Sequence, residues 1–169
     1  MVARDKVPGL PNDLVPTVPD ATQYQVMRVM HYLGWKYVRV INLSDLRDAR
    51  SDSFVQRYIA FERAAGGASH SVFSSDRSQE LRRHLSRKSG APIVCAWGVS
   101  SGLNPLISRA VKALDSESGV TGWAKPGQAG KYFHPLPTLQ RDKEHWVDRM
   151  LAELKISDPT SKAASLDGA

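Results

Sequence analysis

Ala91-Pro92-Ile93-Val94-Cys95-Ala96-Trp97-Gly98 is the stretch whose reading decides the fold. Its apolar run is too short for a helix and is bracketed by proline and glycine, which predicts a strand buried on both faces. Gly98-Val99-Ser100-Ser101-Gly102 then turns toward Asn104-Pro105, an N-cap residue followed by proline at the first helical position. A helix is expected from Pro105 to Leu114, with Leu106, Ala110, Val111 and Leu114 inward. A buried strand feeding a helix N-terminus through a Gly/Ser turn is the geometry of a ligand crevice in an open α/β sheet.

Working upstream, residues 76–88 predict a short basic helix whose apolar seam is Leu81 and Leu85. The Gly/Ser/Ala-rich stretch from Ala64 to Ser75 predicts a mobile loop. Before it, Ser53 and Gln56 suggest a capping box opening a helix with Phe54, Tyr58 and Phe61 on its inner face. Trp35 to Leu43 is rich in aromatic and β-branched residues and predicts a strand that ends near Asn42. Asp20 and Gln23 form a capping-box pattern for a first helix that stops at Gly34, with Val26, Met30 and Leu33 in its stripe and Met27 and Val29 alongside. Residues 1–19 carry Pro8, Pro11, Pro16 and Pro19 and read as an irregular lead-in.

Downstream, Val120 to Ala124 predicts a third strand and Lys125 to Pro137 a loop. A last helix from about Thr138 to Lys155 buries Trp146, Val147, Met150, Leu151 and Leu154. Residues 156–169 are polar and small and read as a disordered tail. Helices alternating with strands imply one α/β domain over residues 20–155, a three-layer α/β/α arrangement on a small, mostly parallel sheet.

The single cysteine excludes a disulfide within the chain, and no Cys/His set has metal-ligand spacing, so no metal or other cofactor is expected. No apolar run approaches the roughly 20 residues of a membrane helix, and the first ten residues lack the apolar core of a secretory signal. A cytoplasmic protein with no membrane partner is expected. The net charge of +6 points toward polyanions. Arg82, Arg83 and Arg87 on the basic helix are either a solvated face or a grip on nucleic-acid backbone.

Carboxyl ends of parallel strands gather on one edge of a sheet. That edge is expected to bring together Asn42, Ser44, Asp45 and Arg47, then Trp97, Gly98, Ser100 and Ser101, then Lys125 and His134. Free N–H groups at 99–102 and 104 would meet an anion, and Lys125 would add charge. His134 is either a turn-packing residue or a group that stabilises developing negative charge. Asn42 could equally satisfy loose backbone groups, and Asp45 could bond its own turn. Trp97 reads as wall, and Cys95 as a small buried hydrophobe. Gly127-Gln128-Ala129-Gly130 lacks the ending of a phosphate-binding loop.

Asp20-Ala21-Thr22, Val40-Ile41-Asn42-Leu43, Ala96-Trp97-Gly98, Lys125-Pro126-Gly127 and His134-Pro135-Leu136 follow one another in this order. Together they resemble domain of unknown function family 1643, found in bacteria and phages, across about residues 10–150. The motif order is similar, more remotely, to that of the uracil-DNA glycosylases. That similarity implies a uracil-DNA-glycosylase-like fold, base recognition by Asn42, water placement by Asp45 and stabilisation of the departing base by His134. The family's usual first strand, ending in Asn-Pro-Ser, has at best a remnant in Leu10-Pro11-Asn12, and Ala124 stands where a threonine is usual. These departures imply either a truncated, decayed or wrongly started reading frame, or a sheet completed by a protein partner or a second copy.

The expectation is a domain that binds or acts on nucleic acid or a nucleotide, as an N-glycosidase-type hydrolase in its catalytic form. A non-catalytic binding module and an inactive truncated family member are the alternatives.

Overall fold

The computed structural model describes residues 18–156 apart from 49 and 138; the expectations for residues 1–17 and 157–169 lie outside them. In chain order come α1 (Ala21–Leu33), α2 (Ser51–Ala65), a 3-10 turn at Ser75–Arg77, α3 (Ser78–Leu85), β1 (Ile93–Val94), a 3-10 turn at Ser101–Leu103, α4 (Asn104–Leu114), β2 (Val120–Thr121) and α5 (Gln140–Ile156). β1 and β2 run parallel, Ile93 opposite Val120 and Val94 opposite Thr121. The protein is thus mostly helical, α/β in kind, on a minimal sheet.

The deciding stretch separates two hydrophobic clusters. Ile93, Cys95 and Trp97 face one cluster, with Val72, Phe73, Leu81, Ala110 and Leu114. Val94 and Ala96 face the other, with Val29, Trp146, Val147, Met150 and Leu154. This is the period-two alternation of a strand with helices on both sides. Regular pairing is nevertheless short: Ile93 N–H donates to Gly119 and Cys95 N–H to Thr121, both toward β2. Apart from Cys95, the stretch is half-buried rather than enclosed, a correction to the fully buried strand expected.

The Trp35–Leu43 strand does not form among the described residues. Ile41 and Leu43 still pack into the first cluster and Trp35 into the second. The main-chain N–H groups of residues 36–44 meet no main-chain acceptor among the described residues. Side-chain burial keeps the segment in place, but β propensity without a neighbouring ladder makes no strand.

The ends of α1 follow the sequence. Asp20 Oδ1 accepts the Gln23 N–H and Gln23 Oε1 accepts the Asp20 N–H, each at 2.8 Å, and Gly34 closes the helix with φ +67°. Asp20→Ala is expected to cost about 1 kcal/mol, read as a lowered urea midpoint at unchanged slope; an unchanged midpoint would show that α1 does not depend on its cap. The buried face is rotated from the expected stripe: Gln25 and Val29 are buried and Met27 is exposed. Gln25 is tolerated inside because its Nε2 donates to Pro135 O (3.2 Å) and Lys143 O (2.8 Å).

Other expectations shift in instructive ways. α2 begins at Ser51, and Ser53 Oγ donates to Asp48 (2.7 Å) instead of closing a capping box. In α4, Ile107 is buried and Val111 exposed, the reverse of the expected assignment for Val111. Residues 70–74, expected as loop, are buried. Val72 and Phe73 enter the core there, while Ser71 Oγ donates to Leu43 O and Ser74 Oγ to Ser71 O, each at 2.7 Å. Short hydroxyl side chains satisfy one carbonyl of the turn and one of the segment before it, which lets irregular backbone sit inside.

Candidate functional site

The end of the deciding stretch and the His134 loop meet. Gly98 N–H donates to Tyr132 O at 2.8 Å, and Tyr132 bridges Gly98 and Ala124 as an antiparallel partner. Gly98 has φ +95°, and a Cβ there would lie 3.7 Å from His134 Cβ. His134 therefore sits beside the Trp-Gly turn, as the edge argument anticipated.

His134 Nδ1 accepts the Leu136 N–H at 3.1 Å, which assigns the ring proton to Nε2. Neighbouring atoms strip part of the hydration from the imidazolium and push its pKa below the usual histidine value, although the residue is exposed. With Nδ1 accepting, the uncharged ring keeps its Nε2–H to donate, and the lowered pKa favours that form.

The expected anion cradle at the α4 N-terminus is built differently. Lys131 Nζ donates to Ser100 O (2.7 Å), to Val99 O (3.4 Å) and to Asn104 Oδ1. The loop thus turns carbonyls toward a cation, and Leu103 N–H is spent on Ser100 O. Asn104 is the first helical residue rather than the N-cap. Ser100 and Ser101 are exposed at this turn. Lys125 donates its N–H to Lys131 O, and its side chain makes no ion pair among the described residues.

Trp97 is wall, as read: its Nε1 donates to Gly130 O at 2.9 Å and its ring meets Tyr132 edge-on at 5.4 Å. With Cys95, Val111, Leu114 and Tyr132 it lines a cavity of about 190 Å³. Burial pushes the Cys95 thiol up to about 12, so it is no nucleophile.

The other expected cluster forms its own network. Ser44 Oγ lies 2.7 Å from His70 Nδ1 and accepts the Leu46 N–H at 3.0 Å. His70 Nε2 lies 2.9 Å from Glu62 Oε1. Arg109 Nη2 donates to Glu62 Oε2 at 3.0 Å, and Nη1 stands 2.8 Å from Oε1 without hydrogen-bond geometry. Burial raises the Glu62 carboxyl, but the Arg109 and His70 hydrogen bonds outweigh it and hold it below the usual range. The order Ser–His–Glu is that of an activated hydroxyl. Ser44 and His70 are buried, however, so the network locks the 43–46 turn onto α2 and α4.

Around that turn, Asp45 Oδ2 pairs with Arg77 at 2.5 Å, and Arg77 also grips Glu80 through two hydrogen bonds. Arg47 is exposed, its carbonyl accepting from Arg57 at 2.7 Å. Asn42 is exposed, and no hydrogen bond links it to His134 or Gly98 among the described residues. Among the basic residues, Arg82 and Arg83 are exposed. Arg87 lies beyond the end of α3 and is tied to Glu117 (2.8 Å) and to the carbonyls of Leu85, Ala91 and Ser118. These bonds make it a clamp between the end of α3 and the turn before β2.

His70, Glu62, Arg109 and Lys131 were missed by the sequence reading. A histidine amid small serines and next to Val72-Phe73 carried a weak signal of burial; the pairing of Glu62 with Arg109, across two helices, carried none. No group of three or more His, Cys, Asp or Glu side chains able to hold a metal occurs among the described residues. No described helix is long and apolar enough to cross a membrane.

Fold and site define the class only as a small, mostly helical α/β protein on a two-stranded parallel sheet, with a histidine beside the turn at Gly98. Comparison with protein-family models, curated proteins and solved structures finds no match.

Proposed function

We propose that this chain binds nucleic acid or a nucleotide at the strand ends and acts on it as a metal-free N-glycosidase, on a uracil-DNA-glycosylase-like three-layer frame. The reading keeps the resemblance to domain of unknown function family 1643 and a cytoplasmic setting. The observation that supports it is the approach of His134 to Gly98, with the ring neutral and its Nε2 proton free of a described acceptor. In such a site His134 donates that proton toward the departing base, so charge building on the base is met by a dipole already in place. Asn42 hydrogen-bonds the base edge. Asp45, with Oδ2 held by Arg77, orients a water through Oδ1. The glycosidic N–C bond breaks with its electron pair going to the base, water delivers hydroxyl to the sugar carbon and its proton to Asp45 Oδ1, and the base leaves as an anion held by the His134 Nε2–H until that proton reaches it through solvent.

The test is release of free uracil from a uracil-containing single-stranded oligonucleotide. His134→Ala is expected to slow it about 10²- to 10³-fold. Activity carried by the neutral ring is retained at pH 7 to 8 and falls as acid protonates it. Full activity in His134→Ala removes the role given to the histidine.

A non-catalytic binding module is the second reading. It is favoured by the lack of a described link between Asn42 and His134 and by the lysine across the α4 N-terminus. Salt-sensitive binding without turnover would select it. The main-chain N–H groups of residues 36–44, which meet no main-chain acceptor among the described residues, support a further element of the proposal, a strand supplied by a protein partner or a second copy.

A further inference from the structure

We infer that the nucleic-acid surface is centred on Tyr37, Arg39, Arg82 and Arg83, and that its ligand is single-stranded. The inference rests on the nucleic-acid reading above and names the strand state and the residues. Arg39 Nη1 donates to His84 O (2.8 Å) and Arg83 O (3.1 Å), which joins the extended 36–43 segment to the C-terminal end of α3. Arg82 and Arg83 stand exposed at that end, in no ion pair among the described residues. A cation at a helix C-terminus is favoured by the helix dipole, so Arg39 is held there and adds its charge to theirs.

The same stretch presents an aromatic ring. Tyr37 is 65% exposed and lies two residues from Arg39, which is exposed as well. Val38 and Val40 line a groove of about 230 Å³ with Met27 and Met30 of α1. Residues 21–44 contain Arg28, Lys36 and Arg39 and no acidic residue. The one carboxylate in this part of α3, Glu80, is held by Arg77 and His84. Charge here is therefore positive and largely uncancelled.

An exposed ring amid uncancelled cations suits a strand with unstacked bases: the phosphates meet the arginines and a base stacks on the tyrosine. A duplex offers the phosphates alone. Arg87, tied to Glu117, has no part in this surface.

The experiment is fluorescence anisotropy of a labelled twelve-nucleotide thymidine strand and of a duplex of equal length, at low salt, with sedimentation of the protein alone. The wild-type chain is expected to prefer the single strand. Tyr37→Ala is expected to weaken that binding about tenfold, to leave the duplex unchanged, and to be rescued by Tyr37→Phe. Arg82→Ala with Arg83→Ala should weaken both ligands and make the salt dependence shallower by about one and a half in logarithmic slope. Binding untouched by these variants would overturn this surface and leave the nucleic-acid reading standing. No binding to either oligonucleotide would overturn both. Self-association abolished by Tyr37→Ala would assign the surface to a second copy and overturn the inference.

Discussion

Gly122→Ala is expected to be the most damaging small substitution in this chain. Gly122 follows β2 directly and has φ +155°, a conformation L side chains rarely adopt. A Cβ there would run into the main-chain carbonyl of Cys95 and lie 2.7 Å from Tyr132 Cδ1. Neither obstacle is the free end of a flexible side chain. The carbonyl belongs to the stretch that separates the two hydrophobic clusters, and Tyr132 holds the antiparallel bridges to Gly98 and Ala124. Relief requires β2 to move away from β1. Backbone strain and overpacking together give an expected loss of about 3–5 kcal/mol. In a chain of this size that lowers Tm by roughly 10 °C or more. A Gly122→Ala protein that melts within about 2 °C of the wild type would show that β1 and β2 are not closely apposed.

His70→Ala comes next. The ring joins Ser44, on the turn after the extended segment, to Glu62 on α2, and Glu62 carries Arg109 on α4. Tyr58 and Phe61 pack against the same ring at 6.1 and 5.3 Å between centroids. Truncation removes a buried ring and leaves a serine hydroxyl and a carboxylate short of a partner, for an expected loss of about 2–4 kcal/mol. Coupling is the sharper test. In a cycle with Glu62→Gln, an interaction energy of about 1 kcal/mol or more is expected, because the two groups share one network. Additive losses in urea unfolding would mean that His70 contributes packing alone. If the 43–46 turn carries Asp45 to a substrate, His70→Ala would also loosen that residue, so base release should fall further than the stability loss accounts for.

The polar network and the deciding stretch differ in how far they could be read in advance. Capping at Asp20 and Gly34 is local: both bonds span three residues, so the pattern in the chain is nearly the structure. The α5 stripe is likewise periodic: Trp146, Val147, Met150 and Leu154 are buried as expected, and Leu151 is half-buried. The approach of the Trp-Gly turn to His134 followed from the rule that parallel strand ends share an edge. By contrast, Trp35–Leu43 has the composition of a strand and no described ladder partner, because pairing is a property of two segments and propensity of one. Arg87 has the composition of a phosphate grip and is spent on Glu117 and three carbonyls.

Local order in the chain by itself therefore determined where the helices lie, the caps of α1 and the alternation of the Ile93–Trp97 stretch between two cores. Each of these depends on residues a few positions apart and on burial that period and hydrophobicity announce. Tertiary structure alone decided which polar groups meet: Ser44 with His70 and Glu62, Lys131 with the turn before α4, Arg39 with the end of α3. Those partners lie 8 to 45 residues apart, in pairings that carry no periodic signature. Charge and hydrogen-bonding capacity are written in the composition; the partner that takes them up is chosen when the packed helices bring distant segments within about 3 Å.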